Sequence, residues 1–300
     1  MTDRLAHQST RNQQFWRQFR RHRGALIGGV VFAIIVLGVL LGPMIWTIDP
    51  GYPDIRARNQ GVSWLHPLGT DQLGRDTLAR LMAGGRSSIS VGMMAMVLSI
   101  GLGCLIGMAA GFFKKLDGPL MRLTDLFLAL PLLPLLLVIM MLFREPLSRS
   151  IGPQAGIFVL IVFAIGITSW MPTARVVRGE VLGLKERDFI RAARAIGATN
   201  YSILKQHIAP NILSPIIVSA TLGIATAIIT ESALSFLGLG FPPDFPTWGR
   251  QLSDATIYMQ DYPGRVFWPG LAISLTVLSV NYLGDGLRDA LDPRQQNLRK

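Results

Sequence analysis

The sequence predicts an all-α integral membrane protein with six transmembrane helices. Three observations carry that expectation. Half of the 300 residues are hydrophobic and only 16% are charged, with a mean hydropathy of +0.41, whereas a soluble domain carries roughly a quarter charged residues. The apolar residues gather in blocks of about 20, which suits a hydrocarbon core of about 30 Å crossed at about 1.5 Å per helical residue. Between the blocks, Lys and Arg alternate from dense to sparse, as they do when successive loops lie on opposite sides of a membrane.

The first span is expected at about 25–47, behind a basic tail at 1–24. Its basic lead is long and no small-x-small cleavage site follows, so it reads as a retained span rather than a cleavable signal. The loop 48–86 contains DPGYPD, WLHPLGTDQLGRD and GGR. Its Asp, Pro and Gly clusters mark turns, and 77–82 suits a short interfacial helix. The second span, about 87–113, holds Gly92, Gly101, Gly103, Gly107 and Gly111. Gly lets helices approach closely in a bilayer, and Gly103 with Gly107 makes a GxxxG pair. The run Met93, Met94 and Met96 reads as lipid-facing or packing filler.

The third span, about 119–142, contains Pro131 and Pro134; neighbours can satisfy the carbonyls that Pro frees. The remaining spans are expected at about 155–177, 211–239 and 267–287, ahead of a tail at 288–300. Spans two to six form one core, 87–287. The loop before the last span, LGLGFPPDFPTWGRQLSDA, opens on Gly and Pro punctuation, and its Trp248 suits the headgroup level.

With the N-terminus inside, inner segments hold twenty of the 29 Lys and Arg residues and outer loops hold nine. Both termini are therefore expected in the cytoplasm. The net charge of +11 is read as topology and contact with membrane lipid, not as nucleic-acid binding; each cation near anionic headgroups contributes about 1 kcal/mol. A single Cys104 in an apolar block excludes an intrachain disulfide and a thiol metal cluster. No GxxxxGK[ST] loop, no HExxH and no paired carboxylates within a span are present, so nucleotide-binding and protease machinery are not visible.

The residues that separate the fourth and fifth spans read RGEVLGLKERDFIRAARAIGATNYSILKQHIAP. As a helix at 100° per residue, 185–196 places Arg187, Arg191 and Arg194 on one side. Phe189, Ile190, Ala192, Ala193 and Ile196 take the other. Gly197 suits a helix C-cap, Thr199 or Asn200 the N-cap of a second short helix at 201–208, and Pro210 the first turn of the fifth span. Two readings fit: a helix pair lying on the bilayer with Arg on lipid phosphates, or a knob docking into a cytoplasmic partner.

RAARAIG followed by HIAP resembles the EAA loop of ABC importer permeases. Ala192 and Ala193 stand at the two alanines of that pattern, Gly197 at its glycine and Pro210 at its proline. Arg191 stands where many members have Glu, a departure frequent in the peptide and nickel branch. DFIRAARAIGA with HIAPN looks like that branch. So do HPLGTDQLGRDTLARLMAGGRSSISVG before the second span, ESALSFLGLG with PTWGRQLSDA, and NYLGDGLRDALDP near the C-terminus. The resemblance covers about 66–293 and implies the C-type permease of a dipeptide or oligopeptide importer, with a type I ABC importer permease fold.

That resemblance implies a second homologous permease, two ATP-binding subunits that hold ATP and Mg, and an extracytoplasmic substrate-binding protein, in a bacterial inner membrane. No cofactor is expected in this chain. The loop at about 178–210 is implied to dock on an ATPase through Phe189, Ile190, Arg191, Ala192, Ala193, Arg194, Gly197, His207 and Pro210. Similar permeases also import nickel chelates and glutathione. Polar residues within spans are candidates for the path or for helix contacts. Glu231 is one: it is placed to meet a peptide amino group, to pair with another helix or to reach the interface. Arg122 and Asp125 are expected to form a local ion pair, and Asn281 to hold helices together. A secondary transporter or channel usually shows unwound half-helices, several buried ionisable groups or an inverted repeat; here ionisable residues cluster near span ends.

Overall fold

The computed structural model describes residues 16–242 and 244–291. The tail residues Arg4, Arg11, Arg294, Arg299 and Lys300 lie outside the described residues. Eleven helices are named here. They are α1 (Arg23–Ile45), α2 (Thr77–Phe112), α3 (Lys114–Ala129), α4 (Leu132–Ile151), α5 (Pro153–Ile167) and α6 (Met171–Lys185), then α7 (Asp188–Ala195), α8 (Asn200–Ser202), α9 (Leu213–Phe236), α10 (Trp248–Thr256) and α11 (Pro263–Leu291). Four of them, α1, α2, α9 and α11, are each long and apolar enough to cross a membrane. Counting the bent pairs α3–α4 and α5–α6 as one span each brings the number to six.

Both bends follow from proline. Leu130 precedes Pro131, whose ring disfavours helical backbone in the residue before it. Leu130 is accordingly extended, at φ −74° and ψ 133°, and α4 leaves α3 at 88°. The expected third span at 119–142 is thus corrected to two helices with a break inside it. Between α5 and α6 the bend is 42°. Pro172 cannot donate there, and the Thr168 hydroxyl turns back to donate to the Ala164 carbonyl at 2.7 Å.

Helix α2 is the spine. It has 36 residues, about 54 Å of helix, and packs against α1, α3, α5, α6 and α9. It starts at Thr77, ten residues before the expected span, because Asp76 caps it by accepting from the Ala79 amide at 2.7 Å. Three glycines let α6 close on it. A Cβ at Gly103 would lie 2.7 Å from Thr173 Cβ, one at Gly107 2.6 Å from the Ala174 carbonyl oxygen, and one at Gly111 2.7 Å from Val181 Cβ. The GxxxG expectation therefore names a real seam, extended by one further step of four. Gly101 points away and faces open space.

The opposite side of the bundle is apolar and uncovered. On α1, Ile27, Val30, Ile34, Leu37 and Leu41 are all exposed and recur every three or four residues, so they form one stripe. Met93 and Met94 are exposed as well, while Met96 is buried. Such a continuous apolar surface is stable against lipid tails and not against water.

Trp248 departs from its expected place. Within the loop after the fifth span it begins α10, is 1% exposed, and its indole nitrogen donates to the Leu81 carbonyl at 2.8 Å. It is packed between helices rather than exposed on the surface. Gly84 and Gly85 give it room: a Cβ on Gly85 would sit 2.6 Å from the indole ring.

Candidate docking site

At one end of the bundle the chain leaves α6, makes α7, bends and returns through α8 to α9. Helix α7 ends as its sequence predicts. Gly197 adopts φ +85°, its amide binds the Arg194 carbonyl and the Ala198 amide binds the Ala193 carbonyl, each at 3.0 Å. This pair of bonds is the Schellman cap. Thr199 then caps α8, accepting from the Ser202 amide at 3.3 Å. The expected second helix begins at Asn200 and continues from Ile203 to Ile208 as a π-helix, followed by a tight turn at Ala209–Asn211. Pro210 sits in that turn, ahead of α9 rather than inside its first turn. The Asn211 amide side chain covers the His207 carbonyl at 2.6 Å.

The loop is seated on the bundle by aliphatic side chains. Ile190, Ile203, Ile208 and Ile212 pack with Phe112 of α2 and Val177 and Val181 of α6 in one buried cluster. Fully burying an Ile contributes about 1.5–3 kcal/mol, so four of them hold the segment firmly. The rings of Phe189 and His207 stand 6.2 Å apart and tie α7 to the π-helical stretch. Lys185 donates to the Gly111 and Phe112 carbonyls at 3.2 and 2.9 Å, closing the end of α2. Sequence reasoning passed over Lys185, which it put at the start of the 185–196 helix; the carbonyls it binds lie more than seventy positions earlier, so no local signal pointed to them.

The two sides of α7 come out differently from expectation. Ile190 and Ala193 face the bundle and are buried, whereas Phe189, Ala192 and Ile196 face outward, Ile196 being 87% exposed. The expected docking set is corrected accordingly. Ile190 and Ala193 are taken up by this chain's own core because they lie at i and i+3, one face of a short helix. The outward apolar groups are Phe189, Ala192, Ile196 and Tyr201, the last 71% exposed. Arg191 pairs with Glu186 at 3.2 Å. Arg194 turns toward α2 and lies 5.8 Å over the Phe112 ring, so the three arginines do not share one target.

One further expectation is corrected, and one of the alternatives open for Glu231 is favoured. Asp125 pairs with Arg175 of α6 at 2.5 Å, not with Arg122, because the chain reverses at Phe113 and brings α6 alongside α3. Asp117 and Arg178 add a two-point pair between the same helices, with bonds of 2.5 and 2.8 Å. Glu231 is fully enclosed between α2, α9 and α10. Ser235 donates to it at 2.7 Å, with the hydroxyls of Ser88, Ser232 and Thr247 around it. It lines no open path in this structure, because α10 closes on α9 so tightly that a Cβ on Gly249 would lie 2.2 Å from the Ser232 carbonyl oxygen.

The geometry is that of a bent, glycine-seamed membrane-spanning bundle with a helix pair seated on one end. Comparison with known proteins narrows this. Residues 86–297 match the family described as "Binding-protein-dependent transport system inner membrane component", and residues 10–61 match "N-terminal TM domain of oligopeptide transport permease C". The chain belongs to this family of ABC importer permeases.

Its relatives include the di/tripeptide transport system permease protein DppC of Pseudomonas aeruginosa. That protein is 39% identical over 296 residues, covering 95% of this chain and 93% of the relative. The oligopeptide transport system permease protein OppC of Bacillus subtilis is 35% identical over 291 residues, covering 95% and 92%. The fold also resembles a chain of the MetNI methionine ABC transporter in an inward-facing conformation. There the TM-score is 0.57 at 17% identity, covering 71% of this chain and 96% of that one. The arrangement is the type I ABC importer permease fold.

Proposed function

We propose that this chain is the permease subunit of an ATP-driven importer that passes dipeptides or oligopeptides across a bacterial inner membrane. Both termini then lie in the cytoplasm, and the α7–α8 loop docks on an ATP-binding partner. The assembly comprises this chain, a second homologous permease, two ATP-binding subunits that hold ATP and Mg, and an extracytoplasmic binding protein. The peptide assignment follows the printed names of the relatives, all drawn from peptide transport.

One observation supports the coupling role most. The loop is anchored inward by four buried isoleucines while presenting Phe189, Ala192, Ile196 and Tyr201 outward. A floppy loop would absorb a partner's displacement; a seated one passes it on to α2 and α6, the helices that it grips. The carrying experiment places a cysteine at Ile196 in a chain with Cys104 replaced by Ala. Crosslinking to an ATP-binding subunit, together with ATP-dependent uptake of labelled dipeptide by the assembled transporter, is the expected result. A cysteine at 196 that reacts only from the outer side, with no link to an ATPase, removes the coupling role. Uptake of a nickel chelate or glutathione without dipeptide uptake changes the substrate and leaves the coupling.

A further inference from the structure

At the end of the bundle opposite the docking loop, four segments line a partly open cavity of about 30 Å³. The loop before α2 contributes Asp71, α2 contributes Thr77 and Arg80, α10 contributes Gln251 and Asp254, and α11 contributes Arg265. The space exceeds the roughly 10–15 Å³ that a single water needs, so it admits a small planar group with two oxygens. Arg265 is held in place rather than mobile. Its Nη2 donates to Asn59 Oδ1 at 2.6 Å, and its guanidinium lies 4.3 Å over the Tyr262 ring.

Two buried donors here have nothing to bind. Arg265 Nη1 and Thr77 Oγ1 are both without a hydrogen-bond partner among the described residues. Arg265 is 9% and Thr77 7% exposed. An unmade buried hydrogen bond is costly, more so for a charged donor. The local acids are already committed: Asp71 is held by Arg75 at 2.6 Å and Asp254 by Arg250 at 2.9 Å. Arg80, 3% exposed, lies farther from Asp71, at 3.8 Å. Thr77 opens α2, whose first amides are already bound by the Gly69 carbonyl and by Asp76, so the binding capacity left at this end is the Thr77 hydroxyl. Two orphan donors and two lining arginines therefore meet at one small space, beside two acids that each have an arginine partner outside it.

We propose that this cavity is a carboxylate-binding site that receives the terminal carboxylate of a peptide, accepting from Arg265 Nη1 and the Thr77 hydroxyl. The choice of a peptide rests on the import reading above; the carboxylate chemistry does not. A carboxylate side chain on the delivering protein offers the same two oxygens, and the test separates the two sources.

The assembled transporter is placed in lipid nanodiscs. Its thermal unfolding is followed against propionate, Ala-Ala and Ala-Ala-amide, for the wild type, Thr77→Val and Arg265→Lys. Propionate and Ala-Ala are expected to raise the unfolding temperature, and the amide to leave it unchanged. Each variant should need about tenfold more Ala-Ala for the same shift, the order expected for one charge-assisted hydrogen bond. Thr77→Val, which removes only the orphan hydroxyl, should unfold no lower than the wild type without ligand, since it relieves an unmade buried hydrogen bond. If neither small carboxylate acts but both variants weaken binding of the delivery protein, the carboxylate is that protein's and the site stands with that source. Equal effects of Ala-Ala and its amide, or variants unchanged in both arms, overturn the site. Uptake of labelled Ala-Ala tests the import reading separately: its failure beside intact propionate binding sinks peptide import and leaves the anion site standing.

Discussion

Replacing Gly197 with Val tests the stiffness of the docking loop through a single backbone angle. Gly197 sits at φ +85°, and a Cβ there meets nothing within 4 Å. The penalty of a side chain is therefore conformational, not steric contact with neighbours. Ala in left-handed backbone costs about 1–2 kcal/mol; Val, branched at Cβ, costs more; Asn costs less, since it visits this region readily. Abandoning the cap instead forfeits two hydrogen bonds, to the Arg194 and Ala193 carbonyls, at about 1 kcal/mol each. Strain and release are thus of similar size, and a variant divides between a strained seated loop and a frayed one. A change of one or two kcal/mol moves that balance by a factor of about 5–30.

Membrane insertion should not change, because Ile190, Ile203 and Ile208 remain buried on the bundle. The assay is uptake per ATP hydrolysed in proteoliposomes containing the complete transporter, beside amide exchange at Ala198. The expected order is wild type and Gly197→Asn together, then Gly197→Ala, then Gly197→Val, with Val losing about tenfold in uptake per ATP and exchanging fastest. Val with faster exchange and undiminished coupling would show that a stiff loop is not required. Asn as damaging as Val would show that the sign of φ is not the cause.

Ile190→Ala should destabilise the extracted protein by about 2–5 kcal/mol, because that side chain is fully buried. Ile196→Ala, at an 87% exposed position, should leave the melting temperature unchanged and weaken copurification of the ATP-binding subunit. Gly107→Val should prevent recovery of a monodisperse bundle on size exclusion, since the added Cβ meets the Ala174 carbonyl at 2.6 Å and overpacking costs about 1–3 kcal/mol or more. Gly101→Ala, facing open space, should be recovered normally. Arg178→Gln should cost about 1 kcal/mol, a small figure because the pair with Asp117 is about one third exposed; adding Asp117→Asn should cost little more, as read by thermal unfolding of both variants.

The apolar blocks, the glycine seam and both caps of the docking loop were legible because each depends on residues close in sequence. Gly197 ends a helix wherever the helix lies, and Thr199 caps the next one by the same local rule. What was not legible depends on contacts across the chain. Asp125 finds Arg175 fifty residues away, although Arg122 is its neighbour on the same helix. Trp248 reads from sequence as a surface-facing loop residue, but a two-glycine notch on α2, over 160 positions earlier, buries it. The sidedness of α7 failed for a subtler reason. Helical periodicity groups apolar residues into one half of the circle, yet only the i, i+3 pair Ile190 and Ala193 meets the bundle, leaving Phe189 and Ile196 at the edges and outward. The break at Pro131 had a sequence signal, the proline itself, while the angle of 88° depends on where α5 waits to receive α4.

The packing divides the bundle into parts of unequal stiffness, and the docking loop sits on the stiffer one. Helices α2 and α6 touch backbone to side chain along Gly103, Gly107 and Gly111, so neither can slide without collision. Lys185 locks the end of one to the end of the other through the Gly111 and Phe112 carbonyls. The buried isoleucines of the loop close on this same junction. Helix α4, by contrast, is joined to α3 through an 88° break and packs on α5. A displacement of the loop therefore acts first on the α2–α6 pair, and α2 extends unbroken from that junction to Thr77, beside the carboxylate site at the other end. A dense glycine seam transmits strain because it has no free volume in which to absorb it; α2, a helix of 36 residues, reaches from the docking loop to the cavity lined by Arg265.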